Sequence, residues 1–241
     1  MSALVLQLEW QLAIATKRDF AMRVLAPLSV VLVLATGAVP PAVAAASYAA
    51  LLTGMGLLAT ALPLMRDGDE GMVQRVLRGG VPPASYLLQR AAAAAGLTLL
   101  QLSPAVLLGA VWLGASTAEV VVAFGALVLA LWISCLLGVV IGAVGRSAAE
   151  ATLICVLTAG LLLHVSGVFH SPAIGGLGAA LEGGSPFRML HESLAVMVSG
   201  GRVHGGISAL LWSIVLPALV AGAAPRLRAL LEREPRPARA V

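Results

Sequence analysis

Few residues in this chain are equipped for chemistry, and their spacing decides what that chemistry could be. The only lysine, Lys17, stands between Thr16 and Arg18. A phosphate-cradling loop needs Gly-Lys followed by Ser or Thr, so that the lysine reaches the terminal phosphates. The chain therefore offers no nucleotide-hydrolysing loop of its own, and any ATP that drives it must sit on another chain. The four histidines, His164, His170, His191 and His204, all fall in the last third. No two stand three or four apart and no cysteine accompanies them, so the expectation is scattered histidines without a metal site. Cys135 and Cys155 lie inside apolar stretches, at depths that differ by roughly 7 Å if both are helical, which argues for packing rather than a disulfide. Glu119 and Glu150 flank apolar runs, and only His164 lies within one. Ion-coupled transporters place acids, histidines or broken helices at the bilayer midplane, and a single histidine does not make that arrangement. No Ser/His/Asp set or other hydrolytic signature is present, so the chain is not expected to be an enzyme.

The elements that must hold these residues are set by composition. Of 241 residues, 60% are hydrophobic and only 11% charged, with a mean hydropathy of +1.00. Soluble domains run near 45–50% apolar and about 25% charged, and disordered chains are poorer still in apolar residues. The remaining class is an all-α polytopic membrane protein. A spanning helix needs about 20 apolar residues. From Val24 to Met65 no residue is charged, which is too long for one helix and breaks naturally at Pro40-Pro41. Six spans result, at about 24–39, 42–65, 91–116, 120–144, 151–168 and 207–224. Thirteen of the fifteen basic residues fall on one side of this arrangement, and only Arg188 and Arg202 on the other. The positive-inside rule then places both termini in the cytoplasm, with 226–241 as a basic cytoplasmic tail. The formal charge of +4 is thus an orientation signal, and nucleic acid is not expected as a partner. Ala42-Val43-Ala44 superficially resembles a signal cleavage site, but 23 residues precede the apolar run, which is long for the n-region of a signal sequence.

Three segments are not spans. In residues 1–23, Leu4, Leu8, Leu12 and Ala15 recur at helical spacing, Glu9 and Arg18 add polarity, and Trp10 suits the headgroup region. An amphipathic helix on the cytoplasmic surface, in contact with lipid, is expected. The connection 66–90 opens with the polar cluster Arg66–Gly71, whose acids would favour a following helix N-terminus. Met72–Arg78 reads as a short amphipathic helix stopped by Gly79-Gly80-Val81-Pro82-Pro83. Such a pinned helix is suited to docking a cytosolic partner. The outer region 169–206 is rich in glycine yet carries apolar clusters too short to span, as re-entrant half-helices would. Gly138 and Gly142 form a small-xxx-small pattern that would let helices approach closely.

This set of elements resembles the permease subunit of ABC type-2 exporters. In the first cytoplasmic loop that family tends to have Gly-Thr-Leu-Glu-Arg-Leu-Leu, a Thr-Pro turn and a terminal Gly-Lys. Here the loop runs Gly71-Met72-Val73-Gln74-Arg75-Val76-Leu77, Gly79-Gly80-Val81 and Leu87-Leu88-Gln89-Arg90. Gly71 and Arg75 match and Arg90 keeps the positive charge, while Met72, Gln74 and Gly80 depart from Thr, Glu and Pro. Ser166-Gly167-Val168-Phe169 with Pro172 is similar to the family's Ser-Gly-hydrophobic-Phe-x-Pro, and Ser185-Pro186 stands where a Leu-Pro break is common. The resemblance implies a dimer of identical or paralogous permeases, with a cytosolic ABC ATPase carrying ATP-Mg under each. It assigns the coupling loop to Asp69, Glu70, Gly71, Gln74, Arg75, Leu77 and Arg78, and the surface helix to Glu9, Trp10 and Arg18. The outer gate it implies comprises Ser166, Gly167, Phe169, Pro172 and Pro186. The implied activity is export of an amphipathic small molecule, drug or lipid-like substrate across a bacterial cytoplasmic membrane. A haem-exporter-type permease of cytochrome maturation and a non-transporting scaffold or sensor subunit are the alternatives.

Overall fold

The computed structural model of the chain describes residues 11, 17–36, 40–169, 182, 184–199 and 206–231. Among these residues there is no strand, and the chain is all-helical. Lipid offers the backbone no hydrogen bonds, so a segment this apolar must satisfy its own N–H and C=O groups as helix. The helices are α1 (Lys17–Thr36), α2 (Pro41–Asp69), α3 (Met72–Arg78), α4 (Pro83–Leu113), α5 (Thr117–Val144), α6 (Ala148–Val165), α7 (Pro186–Ser199) and α8 (Gly206–Leu231).

Among the described residues, five helices are long and apolar enough to cross a membrane, over Val43–Asp69, Pro83–Trp112, Thr117–Val144, Ala148–Val165 and Leu210–Leu227. The sequence led to an expectation of six. The helix at the first expected span, α1, has an apolar stretch over Phe20–Leu32 among the described residues, and Lys17, Arg18, Asp19 and Arg23 stand in its opening turns. Residues 37–39 lie outside the described set. Residues 17–23, expected to belong to the surface segment, are the opening turns of α1 and run without a break into its apolar part.

Several helices run past the ends that charge alone suggests. α2 continues from 65 to Asp69, α4 begins at Pro83 rather than near 91, and α8 continues to Leu231. A charged side chain ends an apolar stretch but does not end a helical backbone. α2 stops only where Gly71 takes a left-handed φ of 67°, which glycine adopts without steric cost. α4 starts at a proline in its first turn, where the missing N–H is not needed. Glu119 and Glu150 serve as caps. Ser116 Oγ accepts the Glu119 N–H at 3.4 Å while the Glu119 carboxylate accepts the Ser116 N–H at 2.7 Å, a capping box. Ser147 Oγ accepts the Glu150 N–H at 3.2 Å at the start of α6.

α5 is the hub, packing against α2, α4, α6, α7 and α8. Its tightest neighbour is α2, and Gly138 and Gly142 lie on that seam. A β-carbon on Gly142 would come within 2.7 Å of the Ala61 carbonyl oxygen, and one on Gly138 would strike Thr60 Oγ1 and the Leu57 carbonyl. Across the seam Gly56 answers them, since its β-carbon would lie 2.6 Å from Ser134 Cβ. The close approach lets Thr60 Oγ1 donate to the Cys135 carbonyl at 2.9 Å and Cys135 Sγ donate to the Gly56 carbonyl at 3.4 Å. Both cysteines are buried and unbridged. Two larger apolar clusters occupy opposite ends of the bundle. One joins Tyr48, Leu52, Leu102, Leu127, Leu131 and α7, and the other gathers around α3.

Candidate functional site

The connection 66–90 is built upward from the end of α2. Arg66 Nε donates to Glu70 Oε1 at 2.8 Å, and both side chains are exposed. The Gly71 N–H donates to the Gly68 carbonyl at 3.0 Å and closes the turn. α3 then runs for only seven residues, too short to persist alone in water, so tertiary packing must hold it. Val73 and Leu77, one turn apart and therefore on one face, are 0% and 7% exposed. They enter a cluster with Leu64 of α2, Tyr86 and Leu87 of α4, Val139 of α5, and Val220 and Leu227 of α8. Burying each such side chain contributes about 1.5–3 kcal/mol. The opposite face carries Arg75 and Arg78, both exposed, with Gln74 half-buried. Arg75 Nη2 donates to the Glu70 carbonyl at 3.2 Å, which ties the exposed guanidinium to the preceding turn. Gly79 caps the helix, and Gly80 at φ 86° turns the chain into Pro82-Pro83.

Of the residues assigned to a coupling loop, Asp69, Glu70, Arg75 and Arg78 are thus exposed, and Gly71 shapes the turn. Leu77 is turned into the bundle instead and acts as an anchor. The acids at 67–70 do not cap α3, whose first turn holds no acidic residue. Asp67 has a different partner. Arg90 Nη2 of α4 lies 2.8 Å from Asp67 Oδ2, with side chains 5% and 16% exposed. Sequence reasoning treated Asp67 as part of a turn and Arg90 as a topology charge. The available signal was an acid and an arginine on the two limbs of one hairpin.

A second constellation lies at the opposite end of the bundle, where α6 stops. Gly167 takes φ 71° and its N–H donates to the His164 carbonyl at 3.0 Å. The Ser166 hydroxyl bonds to the Leu162 carbonyl and the Ser185 hydroxyl. The carboxyl group of Glu182 packs over Gly167, where a β-carbon would meet it at 3.2 Å. Arg188 joins Glu182 Oε2 at 3.2 Å and Glu192 Oε1 at 2.8 Å. Pro186 is buried at the start of α7, while Phe169 is exposed. Ser166, Gly167 and Pro186 therefore come together, Phe169 stands apart, and Pro172 lies outside the described residues. Glu182, Arg188 and Glu192, which hold this corner together, were missed. Glu9 and Trp10 also lie outside the described residues, and Arg18 falls on α1. His164 is exposed at the end of α6. Among the described residues no three His, Cys, Asp or Glu side chains gather as metal ligands would.

No curated protein matches the chain. The profile of the ABC-2 type transporter family matches residues 3–190, which takes in α1 through α6, the connection 66–90 and the first turn of α7. With a bundle of apolar helices closed at one end by a short docked helix, and with that match over most of its length, the chain belongs to the ABC-2 type transporter family as a transmembrane permease component.

Proposed function

We propose that this permease exports an amphipathic small molecule, drug or lipid-like substrate, driven by a separate cytosolic ATPase that docks on α3. The observation that carries this reading is the two-sided character of α3. Val73 and Leu77 sink into the apolar cluster that the ends of α2, α4, α5 and α8 share, while Arg75 and Arg78 are exposed. A helix seated this way passes a push on its outer face into that cluster, and first into α2, against which it packs. The exposed basic pair suits an acidic groove on the partner. ATP-Mg belongs to that partner, because Lys17 sits in no phosphate-binding loop.

On this reading α1 is the sixth span, preceded by a surface helix that includes Glu9, Trp10 and Arg18. Both termini and α3 are cytoplasmic in a bacterial inner membrane. α7 covers 14 of the described residues, about 21 Å of helix beside a hydrocarbon core of about 30 Å. It fits a re-entrant outer element that gates the exit together with Ser166, Gly167, Phe169, Pro172 and Pro186. Two permeases pair across apolar faces such as Leu153, Val156, Leu157 and Leu161 of α6, which are exposed in the single chain, and lipid covers the rest.

The test is Arg75→Glu in the complex with the ATPase that copurifies with the chain. Reversing an exposed charge at a docking face should abolish the permease's stimulation of ATP hydrolysis, while the variant still inserts in the membrane at parental level. Full stimulation in that variant would remove α3 as the docking element.

A further inference from the structure

The buried ion pair between Asp67 and Arg90 is by itself weak evidence for stability. Desolvating two charges roughly cancels their attraction, and apolar residues of similar size commonly stabilise as well or better. What an ion pair supplies and an apolar contact does not is a directional, single-register connection. Its location gives that connection a use. Asp67 is on α2 and Arg90 on α4, one on each limb of the hairpin that presents α3. α3 joins those limbs through Gly71 and Gly80, both at positive φ, and neither has a neighbour within 4 Å of a β-carbon position. Two such joints make the backbone links at either end of α3 compliant, so they carry its movement poorly. The ion pair spans the hairpin beyond both joints and closes the frame.

We propose that Asp67 and Arg90 are positioning residues that lock the ends of α2 and α4 together, so that displacement of α3 moves the long helices as one body. The proposal rests on the reading of α3 as the ATPase-docking element. It adds the part that carries the movement onward, which lies away from the docking face.

The experiment uses the complex with its copurifying ATPase, reconstituted in vesicles of phosphatidylethanolamine and phosphatidylglycerol. A common Phe169→Cys background places a reporter at the far end of the bundle, where Phe169 is exposed. Cys135 and Cys155 are buried, so a membrane-impermeant maleimide reads position 169. The quantity measured is the change in labelling rate on adding ATP-Mg and vanadate. In Arg90→Gln and in Asp67→Asn the ATPase stays bound and keeps hydrolysing ATP. The labelling response falls about fivefold or more, the low end of coupling between distant sites. The reversed pair, Asp67→Arg with Arg90→Asp, recovers the response, which a role limited to folding would not give. A parental response in Arg90→Gln overturns the proposal. So does a reversed pair that inserts and hydrolyses ATP without recovering the response. Failure of the docking reading shows itself separately, as an Arg75→Glu complex that still stimulates the ATPase.

Discussion

At Gly138 and Gly142 the functional group is the missing side chain. Without hydrophobic drive between helices in lipid, close van der Waals contact and interhelical hydrogen bonds must do the work, and the seam with Gly56 provides both. Gly138→Ala forces a methyl group into Thr60 and the Leu57 carbonyl, so α2 and α5 must separate, at about 1–3 kcal/mol for overpacking. Gly125→Ala on the same helix meets nothing within 4 Å. It should be neutral or slightly stabilising, because alanine is the better helix former by about 0.8–1.0 kcal/mol. Thermal melts in detergent separate the two, and equal shifts would contradict the seam. The glycine spacing was visible in the sequence, whereas the residues it meets were not. Asp67 and Arg90 show the same limit more sharply. Their types were plain, but a pairing across 23 positions depends on how two helices come to lie side by side.

Among the elements, α3 and α7 are both short and both owe their place to anchors. The bounds of α3 agree with the segment read from sequence, because Gly71 and Gly79-Gly80 are local signals. Its orientation did not follow from the resemblance, which grouped Leu77 with Arg75. Helical geometry sets Leu77 with Val73, and burial then selects that face for the bundle. In α7, Phe187, Leu190 and Leu194 are buried and recur at helical spacing, packing into the cluster that includes Leu127 and Leu131 of α5. Phe187→Ala should therefore release α7, at about 3–5 kcal/mol for a buried phenylalanine. Hydrogen exchange would show this as lost protection in α7 with α5 unaffected. Protection retained in α7 would mean that Phe187 is not its anchor.

For the whole molecule, the positive-inside rule puts the α4–α5 turn outside and the α5–α6 turn inside. Ala118→Cys, at an exposed position by the first turn, should react with an impermeant maleimide in intact cells. Ser147→Cys, at an exposed position by the second, should react only after permeabilisation. The reverse pattern would invert the protein. Sequence alone determined the membrane class, the all-helical build and the location of the loop helix. Each rests on local quantities, namely apolar run length, proline and glycine breaks, and the placement of few charges. Only the tertiary structure decided which face of α3 is an anchor, that Asp67 holds Arg90, and that Arg188 reaches Glu182 at the end of α6. The α3 face and the Asp67–Arg90 pair depend on how separate helices lie against one another, and the Arg188 bridge on how the chain folds back over the end of α6. An apolar stretch of about the right length specifies that a helix crosses, but not which neighbour it meets or in what register.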